Sequence, residues 1–296
     1  MENEFEAKLF QLSDGRTLAY SEYGDLQGHP VFLFHGSPGS RLEGIHAHKP
    51  GIKNKFHVIA PDRPGMGKSD FQKGRAWIDW PKDVTELADH LRFEKFGVMG
   101  GSGGSPPVLV CAYLIPDRLD FAVVMGGWAP NIDGKLYRNL APIERNFGRM
   151  VRFPVIFRLF YGVLGFIVKH QNDEKLMKNF QSSMCEADKK MIEEDHEMTV
   201  FLANDIKESF RQGARGPSHD AILQYRDWGF NLENISIPVH LYHGMEDKFA
   251  PYAFAEFLHG VIPNSILKSY PGEGHFSILN MIGDVFKDMN RTLNNR

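Results

Sequence analysis

The sequence contains few cysteines, and their scarcity argues against two kinds of stabilised protein. Cys111 and Cys185 are the only two in 296 residues, and neither belongs to a Cys-x-x-Cys pair or a Cys/His cluster. A structural zinc site or a disulfide framework needs more cysteines, at closer spacing. We therefore expect no metal, no cofactor and a reducing compartment.

Long hydrophobic runs and an excess of basic charge are also missing. The longest apolar run, residues 159–168, is well short of the roughly 20 residues that cross a bilayer. The acidic first ten residues lack the apolar stretch of a signal peptide. A formal net charge of -3 gives no general attraction to nucleic acid. We expect a soluble, cytoplasmic protein, monomeric or homodimeric, with no transmembrane segment and no nucleic-acid partner.

The chain is rich in apolar runs that each end in a glycine-containing loop. "VFLF" precedes "HGSPG", "FHVIAP" precedes "DRPGMG", and "FGVMGG" precedes "SGG". Such runs are typical of strands buried on both faces of a parallel sheet. An N-terminal hairpin is predicted around the turn "SDGR". Strands that alternate with helical patterns predict an α/β fold with helices on both faces of the sheet.

Residues 129–234 break this pattern because they contain no good strand candidate. They hold helical runs such as "PVIFRLFYGVLGFIVKH". We predict a helical insertion at 129–234 between two parts of the core, 1–128 and 235–296. The apolar and basic stretch 145–169 has two interpretations. It is a lid over a pocket, which the internal Arg158 favours, or a helix that lies on a lipid surface.

The segment "GGSGG" (100–104) fits the pattern G-x-S-x-G between a predicted strand and a predicted helix. Gly100 and Gly104, two positions on either side of Ser102, allow a turn too tight for larger side chains. The turn exposes the hydroxyl at a helix N-terminus, which favours a developing negative charge. The stretch lacks the GxxxxGK[ST] pattern of a phosphate-binding loop. Ser102 is therefore the candidate nucleophile.

Five motifs in this order resemble the α/β-hydrolase superfamily, in particular its capped branch of esterases, lipases and proline iminopeptidases. They are "HGSPG" (35–39), "DRPGMGKSD" (62–70), "GGSGG" (100–104), "HGMEDKFAP" (243–251) and "PGEGH" (271–275). The resemblance covers nearly the whole chain outside the insertion. It implies the α/β-hydrolase fold, in which a mostly parallel central sheet is flanked by helices and carries an inserted helical cap.

The resemblance also implies a catalytic triad in the order serine, acid, histidine. Asp247 and His275 occupy the matching positions, after the strand "VHLYHG" and in "PGEGH". A serine needs a base to take its proton, and an acid orients that base. The backbone N–H groups of Ser37 and Gly103 would form the oxyanion hole. Asp133, after the fourth strand of this pattern, is the alternative acid.

Other motif residues receive supporting roles from the resemblance. Asp62 and Arg63 in the "DRPG" loop would brace the site from behind. His35 and His243, beside glycines at strand ends, would hold loops by hydrogen bonds. Trp128 has two interpretations: it lines the substrate pocket, or it is a core tryptophan where the insertion begins.

These residues predict a serine hydrolase that cleaves a small or medium carboxylic ester through an acyl-enzyme. One alternative is a proline-iminopeptidase-like aminopeptidase. Those enzymes usually carry tryptophan where this chain has Gly103, and they hold the substrate amine with acidic lid residues, for which "EEDHE" (193–197) is a candidate. A perhydrolase and a non-hydrolytic ligand-binding or signalling protein of the same fold are further alternatives. The predicted partner is a small-molecule ester or amide.

Overall fold

An eight-stranded, mostly parallel sheet forms the centre of the protein. The computed structural model describes residues 5–130 and 136–294. The strands are β1 (Lys8–Gln11), β2 (Thr17–Gly24), β3 (His29–Phe34), β4 (Phe56–Pro61), β5 (Phe96–Gly101), β6 (Leu119–Met125), β7 (Val239–Gly244) and β8 (Ser265–Tyr270). Their order in the sheet is β1-β2-β4-β3-β5-β6-β7-β8. The pairs β1/β2 and β2/β4 are antiparallel, and all the others are parallel.

Helices connect the strands and cover both faces of the sheet. They are α1 (Ile45–Asn54), α2 (Trp80–His90), α3 (Ser105–Leu114), α4 (Pro142–Met150), α5 (Pro154–His170), α6 (Asp173–Lys178), α7 (Glu186–Glu194), α8 (His196–Ser209), α9 (Arg215–Gln224), α10 (Ala253–Val261) and α11 (Ile282–Asn294). Helices α1 and α11 pack together on one face of the sheet, whereas α2, α3 and α10 lie on the other.

The central strands are apolar throughout because both of their faces are covered. In β3, Val31 and Leu33 belong to the core on the side of α1 and α11, whereas Phe32 and Phe34 belong to the opposite core. All six residues of β4 are buried. This two-sided burial explains the continuous apolar runs in the sequence, and it confirms the predicted fold.

The structure refines several predicted elements. Helix α1 was not predicted, since Pro50 and Gly51 within it are poor helix formers. Helix α11 at the C-terminal end of the described residues begins at Ile282, after a 3₁₀ turn over Ser277–Met281. Residues 186–209 form two helices, α7 and α8, because the chain leaves helical geometry at Asp195 and its carboxylate caps α8.

Six helices, α4 to α9, lie between β6 and β7, and no strand occurs in the described residues of this segment, 136–234. Buried polar contacts attach the segment to loops at the carboxyl ends of the strands. Arg63 Nε donates to Asp220 of α9 at 2.8 Å, and Ser40 N donates to Asp205 of α8 at 2.9 Å. The division into core parts 1–128 and 235–296 with a cap at 129–234 stays a prediction.

Candidate active site

The turn after β5 holds Ser102 in a conformation that few non-glycine residues adopt. Ser102 has a φ of 50° and begins a short 3₁₀ turn that leads into α3. A Cβ atom at Gly104 would lie 2.2 Å from the carbonyl oxygen of Phe34, and one at Gly100 would lie 2.8 Å from the same oxygen. Both positions therefore require glycine, and the strand–turn–helix context expected around Ser102 is present.

Asp247 and His275 meet at the same edge of the sheet, in the loops after β7 and β8. Nδ1 of His275 lies 2.7 Å from Oδ2 of Asp247. The other carboxylate oxygen, Oδ1, accepts the N–H groups of Phe249 and Ala250, each at 2.8 Å. The carboxylate is thus held in place and orients the imidazole so that Nε2 is the nitrogen left for chemistry.

Acidic neighbours raise the pKa of His275 above its ordinary value. Burial by itself would lower the pKa, but the charge and hydrogen bond of Asp247 oppose it, and the charges of Asp188 and Glu43 add to that effect. The imidazole is therefore a stronger base here than in water.

Ser102 and His275 line one cavity of about 90 Å³. Its polar wall also includes Glu43 and His46, and its apolar wall includes Leu33, Met99, Met125, Leu202 and Ile278. Among the described residues, no hydrogen bond joins Ser102 Oγ to the imidazole. Such contacts commonly tighten only when substrate binds. The fold brings all three predicted triad residues to one edge of the sheet, and their catalytic roles stay predictions.

Ser37 and Gly103, the predicted oxyanion-hole residues, lie against each other. A Cβ atom at Gly103 would be 2.5 Å from the Cβ of Ser37 and 2.9 Å from its nitrogen. The same atom would be 2.7 Å from Oε1 of Gln224, the last residue of α9. Gly103 has no room for a side chain, so a tryptophan at this position would not fit beside Gln224.

Arg63 braces the loop that carries Ser37. Its guanidinium donates to the carbonyl oxygen of His35, and Nη2 donates to the carbonyl of Gly36 at 2.8 Å. Asp220, which also pairs with Arg75, balances its charge. Burial by itself would raise the pKa of Asp220. The charges and hydrogen bonds of the two arginines outweigh this effect and lower the pKa to about 2. Arg63 thus has the contacts expected of a bracing residue.

Sequence reasoning missed a pair of acidic groups beside the cavity. Oε1 of Glu43 accepts the N–H of Gly36 at 2.7 Å, and both Glu43 and Asp205 border Gly39. Burial raises the pKa of Glu43 to about 7. Burial, followed by the charge of Glu43, raises the pKa of Asp205 well above its ordinary value. Burial and their mutual repulsion therefore disfavour two negative charges at this position. No motif marks Glu43, and Asp205 is far away in sequence.

A second missed residue is Asp188 of α7, which holds the loop that carries the histidine. Its fully buried carboxylate accepts the N–H groups of His275, Phe276 and Ser277 at 3.0, 2.9 and 3.0 Å. Gly274 gives it room, since a Cβ there would lie 2.4 Å from Oδ2. Asp188 precedes His275 by 87 positions, and no spacing rule could have linked them.

Three further predicted residues or segments lie elsewhere. Trp128 is buried in an aromatic cluster with Tyr137, Tyr225 and Phe254, and it is not part of the cavity wall. The acidic cluster 193–197 is exposed and does not line the cavity either. Asp133 lies outside the described residues. Within the described ranges, no group of three or more His, Cys, Asp or Glu side chains is arranged to hold a metal ion.

Comparisons with known proteins agree with this architecture. The family described as "alpha/beta hydrolase fold" matches residues 29–154. A proline iminopeptidase from Arabidopsis thaliana is 30% identical over 121 residues, which are 39% of this chain and 31% of that protein. A proline iminopeptidase from Xylella fastidiosa is 24% identical over 297 residues, 92% of this chain and 91% of the relative. The matches to the first curated relatives span only 31–37% of those proteins' lengths.

Solved structures extend the likeness over the whole chain. A thermophilic esterase from Thermogutta terrifontis has a TM-score of 0.70 and 19% identity, with 98% of each chain covered. At this identity the likeness shows the fold alone. This chain has the α/β-hydrolase fold, with proline iminopeptidases among its sequence relatives and esterases among its structural neighbours.

Proposed function

We propose that this α/β-hydrolase cleaves a small or medium carboxylic ester through an acyl-enzyme on Ser102. The observation that carries the proposal is the shared cavity of Ser102 and His275, with the imidazole held 2.7 Å from Asp247. The left-handed conformation of Ser102 adds support, because strained backbone is concentrated at functional sites.

In the first half of the reaction, Ser102 Oγ attacks the ester carbonyl carbon and its proton passes to Nε2 of His275. The carbonyl oxygen becomes negative and accepts hydrogen bonds from the backbone N–H groups of Ser37 and Gly103. The carbon–oxygen bond to the alcohol then breaks, and the imidazolium gives its proton to the leaving alkoxide. The acyl group remains on Ser102.

In the second half, His275 takes a proton from water and the resulting hydroxide attacks the acyl-enzyme. The acid departs, and the proton on Nε2 returns to Ser102 Oγ. Throughout, Asp247 stabilises the imidazolium without itself taking the proton. We further propose that residues 129–234 act as a cap, supported by the buried contacts of α7, α8 and α9 with the strand-end loops.

Labelling with a fluorophosphonate, followed by intact mass and peptide mapping, tests the nucleophile. We expect single-site labelling at Ser102, lost in Ser102→Ala and His275→Ala, with ester turnover reduced by about 10³-fold or more in each. His259→Ala, at an exposed histidine of α10, is the matched control. Labelling at another residue, or full turnover in Ser102→Ala, would overturn the proposal. Absence of labelling in the folded protein would favour the ligand-binding alternative.

An aminopeptidase is the second candidate, favoured by the proline iminopeptidase relatives and by the Glu43 carboxyl group in the cavity wall. A panel of p-nitrophenyl esters and aminoacyl amides separates the two, with Glu43→Gln measured beside the wild type. An aminopeptidase should prefer the amides, and its Glu43→Gln variant should lose kcat/KM selectively on substrates with a free amine. Faster turnover of the esters, with a similar change on both substrate classes in Glu43→Gln, would support the esterase.

A further inference from the structure

Helix α5 exposes an unusual number of large apolar side chains. Eight lie at the surface of its N-cap and body: Phe153, Val155, Ile156, Leu159, Phe160, Val163, Phe166 and Ile167. These eight, here called the α5 patch, are more than half of the fifteen exposed large hydrophobic residues in the described part of the chain. Scattered surface leucines and valines are normal, but a contiguous patch of this kind marks an interaction site.

The buried side of α5 already packs against the rest of the protein. Phe157, Tyr161 and Val168 are buried, and Gly165 lies so close to Phe210 that a Cβ would be 2.6 Å from its ring. A surface helix normally turns polar residues outward opposite such a face. Helix α5 is therefore apolar on both sides, and its outer face is not covered by the described part of the chain.

The patch is turned away from the candidate active site. No described residue of 145–169 lines the cavity. Helix α5 packs on α9 and α8, and these two helices approach the site through Gln224 and Leu202. The lid interpretation of this stretch requires an apolar face directed at the pocket, whereas the α5 patch faces outward.

The charges within the stretch that carries the patch are of one sign. The sequence has no aspartate or glutamate between Glu144 and Asp173. Five exposed basic residues occupy that interval: Arg145, Arg149, Arg152, Arg158 and Lys169. The four arginines form no ion pair with any carboxylate in the described ranges. The rest of the chain is acidic enough to give a net charge of -3, so the positive charge is confined to this stretch.

We propose that the α5 patch and its five basic residues dock on the surface of an anionic lipid bilayer. An apolar face bordered by basic residues is the composition of helices that lie in the membrane interface. A second copy of this chain fits less well. A two-fold contact would place the same basic residues of the two copies opposite each other, with no acidic partners in this stretch. No helix in the described residues is long and apolar enough to cross a bilayer, so α5 would lie on the membrane.

Vesicle co-sedimentation tests the proposal without any measurement of catalysis. Vesicles of phosphatidylcholine alone and of phosphatidylcholine with phosphatidylglycerol are compared at low and high salt. We expect binding to the anionic vesicles that weakens as salt rises. The variant Leu159→Ser/Val163→Ser/Phe166→Ser should bind about tenfold or more weakly, and Arg152→Gln/Arg158→Gln should lose most of the preference for anionic lipid.

Leu9→Ser/Ile266→Ser, at two exposed apolar residues on other elements, is the matched control and should bind like the wild type. Ser102→Ala should also bind normally, which separates this proposal from the proposed chemistry. Absence of vesicle binding, or binding unchanged in both α5 variants, would overturn it. A dimer in light scattering that dissociates in the α5 variants, without vesicle binding, would identify a second copy as the occupant.

Discussion

The strand-end loops and the helical segment between β6 and β7 use polar residues in different ways. In the loops, polar residues stand in short motifs with glycine, and their partners are often backbone groups a few positions away, as with Asp247 and the N–H groups of Phe249 and Ala250. In the helical segment, Asp188, Asp205 and Asp220 stand in no motif, yet each is buried and reaches a strand-end loop. The segment therefore helps to hold the candidate site together.

The largest effect on stability should come from cutting one of these long-range contacts. Asp220→Asn leaves Arg63 and Arg75 buried without a counter-charge, and breaking a buried ion pair in this way costs about 3–5 kcal/mol. We expect that loss in the free energy of unfolding by urea. Asp173→Asn, which removes a more exposed pair with Lys207, is the control and should cost at most about 1 kcal/mol. If Asp220→Asn lowers the free energy of unfolding no more than Asp173→Asn does, Asp220 does not join the two regions.

Glycines of the two regions should respond to alanine in opposite directions. Gly104→Ala places a methyl group against the backbone oxygen of Phe34. It should lower the free energy of unfolding by about 1–3 kcal/mol and also reduce ester turnover. Gly162→Ala in α5 meets nothing within 4 Å and should stabilise the protein by roughly 0.4–1 kcal/mol. Thermal unfolding and ester hydrolysis measure both. A neutral Gly104→Ala would contradict the tight-turn account of Ser102.

The pH profile tests the acidic surroundings of His275. A general base must be neutral to act, so kcat/KM should fall as pH drops through its pKa. Because the pKa of His275 is raised, the midpoint should lie above the ordinary value of about 6.5. Stopped assays of a soluble ester across this range locate the midpoint. A profile that is flat down to acidic pH would argue against His275 as the base.

Asp188→Asn should give the smallest effect and the most specific one. Removal of this charge lowers the pKa of His275, so the acidic limb of kcat/KM should move to lower pH. The titratable groups that face His275 are Asp247, Asp188, Glu43, His243 and Glu144, and the variant leaves the other four unchanged. Asp195→Asn, at the exposed cap of α8, is the control. If Asp188→Asn loses stability but the acidic limb of kcat/KM does not move, Asp188 has only a structural role.

The central strands were predictable because burial on both faces requires nearly continuous apolar runs, and the parallel sheet followed from the alternation of strands with helices. The candidate triad was predictable for a related reason: Ser102, Asp247 and His275 follow strands whose carboxyl ends meet at one edge. Helix α1 was not predictable, since Pro50 and Gly51 oppose helix propensity there and tertiary packing overrides it.

The sequence by itself determined the sheet, the glycine turn around Ser102 and the motif positions of Asp247 and His275, because these depend on local backbone sterics and on patterns a few residues long. Tertiary structure alone decided that Gln224 crowds Gly103, that Glu43 and Asp205 border one glycine, and that Asp188 holds the histidine loop from 87 positions away. It also decided which face of α5 is exposed. Such contacts join distant parts of the chain, and they depend on how helices pack, which no local pattern encodes.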